Sequence, residues 1–157
     1  MKFHSSMIVV TDIEKSKEFY KKILREEISQ DLQFYVVFKG GFSMMSQNQW
    51  ETLAEGKASK VIYNGLNFEL YFEEDEIDTF IKSNANLKVF TPLVEAPWGQ
   101  RNIRIFDPDN HIIEVAESMH AVVKRFLSLG MSVEEVSKKS MMPLEFVKEC
   151  NDNIGSK

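Results

Sequence analysis

The chain opens with an apolar run at residues 5–10 and then turns charged, with Ile13, Phe19, Tyr20, Ile23 and Leu24 recurring at helical spacing. The run predicts a strand and the spacing an amphipathic helix. Thr11 sits at the junction with Glu14 three residues on, so Thr11 is the expected N-cap of a capping box. Residues 34–39 and 42–46 read as strands around the Gly40-Gly41 turn. The first half is therefore a strand, a helix and then further strands.

The second half repeats that order from about Leu66. Phe68, Leu70 and Phe72 alternate with Asn67, Glu69 and Tyr71, which predicts a strand with one apolar and one mixed face. Residues 75–83 carry Ile77, Phe80 and Ile81 on one helical side. Residues 87–90 suit a short strand. Residues 102–106 and 111–116 form a hairpin pattern across Asp107-Pro108-Asp109-Asn110. Proline fixes φ early in that turn and Asn110 tolerates a left-handed backbone, so both aspartates read first as turn caps. Between the halves, residues 47–60 suit a loop or short helix. Trp50 near its start either covers a pocket or anchors a surface loop.

After Glu117 the pattern is helical. Residues 120–129 form one helix with Gly130 at its C-terminal end. Ser132 and Glu135 form a capping box for a second. Pro143 suits the first turn of a third, and residues 151–157 look frayed. The layout is thus residues 1–117, with modules at about 1–48 and 66–117, followed by a helical tail at 118–157.

Composition narrows the function classes. The 157 residues suffice for one domain with a real core or two small units. No apolar run reaches about eighteen residues, so no membrane span is expected, and the N-terminus lacks the apolar stretch of a signal peptide. One cysteine, Cys150, fits a reducing cytoplasm and has no histidine or basic cluster nearby in sequence to make it a nucleophile. The formal charge of -5 points away from nucleic acid as the main partner. In the tail, residues 128–150 are similar to a degenerate helix-turn-helix. Its would-be recognition helix starts apolar and acidic, so DNA contact ranks below a structural or dimer role.

Chemistry concentrates on the second half. Glu114 lies in a strand pattern with Ile112 and Ala116, while His111 and Ile113 point away from it. It is a metal ligand, the polar end of a ligand pocket, or part of a solvated face. Glu69 is its counterpart on the earlier strand. If the two converge, they suit a divalent cation with further donors, or they repel and raise one pKa. Arg101 and Arg104 have opposite strand parity. Arg104 belongs to the mixed face, to contact a ligand or to pair with Glu69 or Glu114.

The stretches MIVVTDIEKSKEFYKKIL, FELYFEEDEIDTF and PWGQRNIRIFDPDNHIIEVAE resemble the vicinal oxygen chelate superfamily of glyoxalases, bleomycin- and fosfomycin-resistance proteins and extradiol dioxygenases. The resemblance covers residues 1–117. It implies an α+β fold of paired βαβββ modules forming a curved mixed sheet around a cleft, here with C-terminal helices, and a homodimer. It puts Glu69 and Glu114 on two of the metal-ligand positions and makes them the catalytic candidates. Ser5 falls on the first-histidine position, His4 is a reserve of opposite parity, and no carboxylate or histidine stands near Ser46 or Gln47. A complete metal site is therefore not expected, and the cofactor is left open between a divalent metal and none. The favoured expectation is a protein that holds a small organic ligand through Tyr35, Tyr71, Trp98 and Arg104. The alternative is a divalent-metal-dependent lyase or isomerase of the glyoxalase type, in which Glu114 or Glu69 moves a proton.

Overall fold

The computed structural model describes residues 1–55 and 61–154. The chain is α+β and divides into two compact units, Met1–Phe68 with Asp107–His111, and Glu69–Phe106 with Ile112–Lys157.

The first unit runs β1 (Ser6–Val10), α1 (Ile13–Ile23), β2 (Ile28–Asp31), β3 (Tyr35–Phe38), β4 (Phe42–Ser46) and α2 (Gln47–Leu53). Its sheet order is β1-β4-β3-β2, with β1 parallel to β4 and the other pairs antiparallel. The strand that pattern reading missed is β2, whose sequence ISQD leaves three of four residues exposed. The segment after β4 forms α2, which carries Trp50, and residues 56–60 of that stretch lie outside the described residues.

The cap of α1 differs from expectation. Asp12, not Thr11, accepts from the Lys15 N–H at 3.0 Å. The Thr11 hydroxyl and N–H instead donate to the Asp109 carboxylate, 98 positions along the chain. With that oxygen engaged, the adjacent aspartate takes over the cap. Tyr20, on the buried side of α1, is fully enclosed among Phe38 and Phe42. Its hydroxyl donates to Asp107 at 3.0 Å. Asp107 also accepts from the Asp109 and His111 N–H groups and contacts His111 Nδ1 at 2.8 Å. Asn110 is left-handed at φ 67°. The aspartates of this turn thus act as caps, and residues of the first unit bind them.

The second unit runs β5 (Glu69–Glu73), α3 (Ile77–Ser83), β6 (Val89–Glu95), β7 (Arg101–Phe106), β8 (Ile112–Ala116), α4 (Met119–Ser128), α5 (Val133–Ser140) and α6 (Leu144–Ile154). Its sheet order is β5-β8-β7-β6, so each unit contains one βαβββ module. Leu70, Ile103, Ile105, Ile113 and Val115 form the buried side of this sheet, and α3 contributes buried Ile77 and Phe80. Phe68, expected on the apolar face, precedes β5 and is exposed. The strand predicted at residues 87–90 is β6, which starts two residues later and continues to Glu95 because its outer residues pair with β7 across two register shifts.

The tail is a three-helix unit around Val122, Val123, Phe126, Val136, Val147 and Cys150. Ser118 caps α4 by accepting from the Ala121 N–H at 3.1 Å. Ser132 and Glu135 form the expected capping box of α5. Gly130 takes the left-handed turn after α4 at φ 86°, whereas after α5 the same role falls to Met141 at φ 59°. Of the stretch 151–157 expected to fray, residues 151–154 continue α6, whose buried Val147 and Cys150 anchor it in the tail core, and residues 155–157 lie outside the described residues. Among the described residues, no helix is long and apolar enough to cross a membrane.

Candidate functional site on the second sheet

The open face of the second sheet follows from strand alternation. Register sets Tyr71 opposite Glu114, Glu114 opposite Arg104, and Arg104 opposite Thr91, in one row across four strands. Neighbouring residues of that face are Glu69, Glu73 and Asn102. Glu114 is thus not a solvated side chain: only 11% of it is exposed, because β8 is an interior strand.

The Arg104 guanidinium is the hub. Its Nε donates to Glu69 Oε2 at 2.8 Å and its Nη1 to Asn102 Oδ1 at 3.1 Å. Its Nη2 donates to Glu114 Oε2. The sequence left Arg104 open between a ligand and an ion pair, and in the structure it pairs with both glutamates. The two carboxyl groups also share a hydrogen bond, and their proton affinities split. Burial and the hydrogen bond to Glu69 push Glu114 up, against the pull of Arg104. The hydrogen bond from Arg104 holds Glu69 below its usual value, despite its partial burial. Of the two carboxyl groups, Glu114 therefore holds a proton more tightly than Glu69.

Beside this hub runs a string of side chains. Trp98 Nε1 donates to Gln100 Oε1 at 3.1 Å, and Gln100 Nε2 donates to the Tyr71 hydroxyl at 3.0 Å. The Tyr71 hydroxyl donates to Glu73 at 3.2 Å. Gln100 Nε2 also donates to the Glu117 carbonyl at 2.7 Å. Tyr71 and Trp98 remain exposed, so two aromatic faces border the charged hub while their polar atoms are held in place.

Arg101, of opposite parity, goes elsewhere. It donates to Glu117 through Nε at 3.0 Å and Nη2 at 2.7 Å, and to Asp78 through Nη1 at 3.1 Å. Arg125 binds the same glutamate at 2.9 and 3.2 Å. The Glu117 side chain is 2% exposed. Burial acts to raise its pKa, but the hydrogen bonds from Arg101 and Arg125 outweigh it and hold the group below its usual range.

Of the remaining sequence candidates, Tyr35 lies half-buried on β3 of the first unit and His4 is exposed ahead of β1. Gln47, near the first module's last expected ligand position, accepts from the Tyr63 hydroxyl at 2.8 Å and donates to Glu51 at 2.6 Å. Among the described residues, no group of three or more histidine, cysteine, aspartate or glutamate side chains is arranged to hold a metal ion. Glu69 and Glu114 alone make a poor set for a divalent cation, and a guanidinium already lies against both. These donors do not fit a metal. Gln100 and Glu117 were missed from sequence. Gln100 has only the neighbouring Trp98 as a signal, and the Glu117 partners lie 16 and 8 residues away without a spacing motif.

A family model described as a glyoxalase-like domain matches residues 3–120. Among solved structures, a protein of unknown function from Agrobacterium tumefaciens str. C58 is 35% identical, with a TM-score of 0.69 over 75% of this chain and 94% of that one. A glyoxalase/bleomycin resistance protein/dioxygenase family enzyme from Burkholderia phytofirmans PsJN has 15% identity and a TM-score of 0.62, over 73% of this chain and 96% of its own. The fosfomycin resistance protein FosX from Mesorhizobium loti has 17% identity and a TM-score of 0.51, over 74% and 92%. The latter two show likeness of fold. No curated protein matches the chain.

Proposed function

The chain belongs to the glyoxalase-like domain family of the vicinal oxygen chelate superfamily, and on that premise we propose that it binds a small organic ligand on the open face of its second sheet without a metal. One observation carries this reading: Arg104 supplies the positive charge between Glu69 and Glu114, where a metal-dependent relative would need a cation. Trp98 and Tyr71 offer stacking surface beside it. Gln100, Glu73 and the polar edge of Arg104 offer hydrogen bonds that fix the orientation of a ligand. Tyr35, of the first unit, is a separate candidate for ligand contact from the sequence, and Tyr35→Ala tests it. We assign the protein to the cytoplasm and to a homodimer, for which light scattering should return twice the chain mass.

The first test is elemental analysis of protein purified without chelator, before and after reconstitution with zinc, nickel, manganese and iron. The expected result is no stoichiometric metal. A stoichiometric metal lost in Glu114→Gln would sink the metal-free reading. A ligand-observed NMR screen of aromatic compounds should then give hits that Trp98→Ala and Tyr71→Ala weaken, each by about tenfold for the loss of one stacking surface.

A glyoxalase-type lyase or isomerase is the second reading, and the split proton affinities of Glu69 and Glu114 favour it. Glu114, whose proton affinity is raised, lies beside Glu69, whose affinity is lowered, and environments that push two carboxyl groups apart in this way suit an acid next to a base. Its metal-dependent form has no suitable donor set here. Turnover of 2-oxoaldehyde adducts that disappears in Glu114→Gln would establish this reading over simple binding. DNA contact by the tail has the least support, because Glu145 occupies the first turn of α6.

A further inference from the structure

The tail beyond residue 120 lies outside the family match, yet it grips the segment that carries Trp98. We propose that α4 and α5 are a positioning clamp for residues 95–100, with Arg125 and Phe126 as the positioning residues that set Trp98 and Gln100 on the ligand face. This rests on the ligand-binding reading given above.

Three sets of contacts converge on the segment. The backbone turns back at Gly99, whose N–H donates to the Ala96 carbonyl at 2.8 Å and whose φ is 89°. A Cβ on Gly99 would lie 2.1 Å from Phe126 Cζ, so the ring fills the space that a side chain would need. That ring is itself fixed, with Arg125 at 4.8 Å and the Lys139 ammonium at 4.5 Å from its centroid. Arg125 Nη2 donates to the Gly99 carbonyl. At the start of the segment, Glu95 pairs with Arg125 at 3.3 Å and with Lys139 at 3.9 Å.

The connection then runs inward. Arg125 binds the buried Glu117 carboxylate, and the Glu117 carbonyl accepts from Gln100. Gln100 is in turn the link between the Trp98 indole and the Tyr71 hydroxyl. Releasing Arg125 or Phe126 frees the Gly99 turn, and with it the Trp98–Gln100 hydrogen bond. The hub at Arg104 is fixed by strand pairing and does not depend on these contacts.

The test reads the Trp98 indole N–H directly and needs no ligand. Its signal in a nitrogen-15 spectrum is assigned with Trp98→Phe, and its exchange with solvent is compared across variants of the full chain. Arg125→Ala and Phe126→Leu should speed that exchange by about tenfold, the loss expected for one hydrogen bond. Val136→Ala removes buried volume from the same tail core without touching the segment. It should lower the melting temperature and leave the indole exchange unchanged. Unchanged exchange in both Arg125→Ala and Phe126→Leu would overturn the clamp, as would an equal effect in Val136→Ala. Failure of the ligand reading would appear separately, as an aromatic screen with no hit sensitive to Trp98→Ala.

Discussion

Two glutamates on the second unit respond to pH in opposite directions. Glu117 is held below the ordinary value of 4.5 in the folded state. Its stabilising contribution is complete above that value and is lost as pH falls through the lower folded value. Glu114 is held above 4.5, so it costs stability as pH rises from 4.5 through its folded value. Thermal melts across about pH 3–8, a range that brackets this value, should show this directly. Glu114→Gln should gain on the wild type as pH rises, and Glu117→Gln should gain on it as pH falls. At neutral pH Glu117→Gln should cost about 3 kcal/mol, because two arginines lose a buried partner. Of these residues, Glu114, Glu69 and Arg104 were legible in the sequence, because period-two alternation places them on one face. Glu117 was not. Its role depends on an arginine from a helix that sequence pattern alone cannot dock.

Glycine placement decides two of the elements. Gly99→Ala should destabilise by about 3 kcal/mol, combining left-handed strain with a clash against Phe126, as read by denaturant unfolding. The converse applies after α5, where Met141 occupies a left-handed position with its side chain exposed. Met141→Gly should raise stability by about 1 kcal/mol, since glycine takes that conformation without the Cβ penalty. Long, periodic elements such as α1, β7 and α4 were legible because each carries an apolar period toward a buried face, and β8 because its apolar residues flank Glu114 on an interior strand. The edge strand β2 was not, because exposed edge residues carry no apolar period. The cap of α1 was misread for a related reason: Thr11 is adjacent to the helix, but its hydroxyl serves Asp109.

At the scale of the molecule, the repeated strand–helix–strand order was visible in the sequence. The first unit also includes Asp107–His111, a turn drawn from the second half, and no local pattern announces that long-range contact. Tyr20, Thr11 and the two aspartates bind each other within that unit. Tyr20→Phe should cost about 1 kcal/mol by removing one buried hydrogen bond. A fragment of residues 1–68 lacks every one of these contacts, and circular dichroism should show it melting without a cooperative transition. The same arrangement bears on synthesis. The amino-terminal unit stays incomplete while the ribosome makes the whole of α3, β6 and β7, a wait of a few seconds at about 5–20 residues per second. Until Asp107 leaves the ribosome, Tyr20 lacks its native acceptor and the nascent sheet is exposed to chaperones and to neighbouring chains.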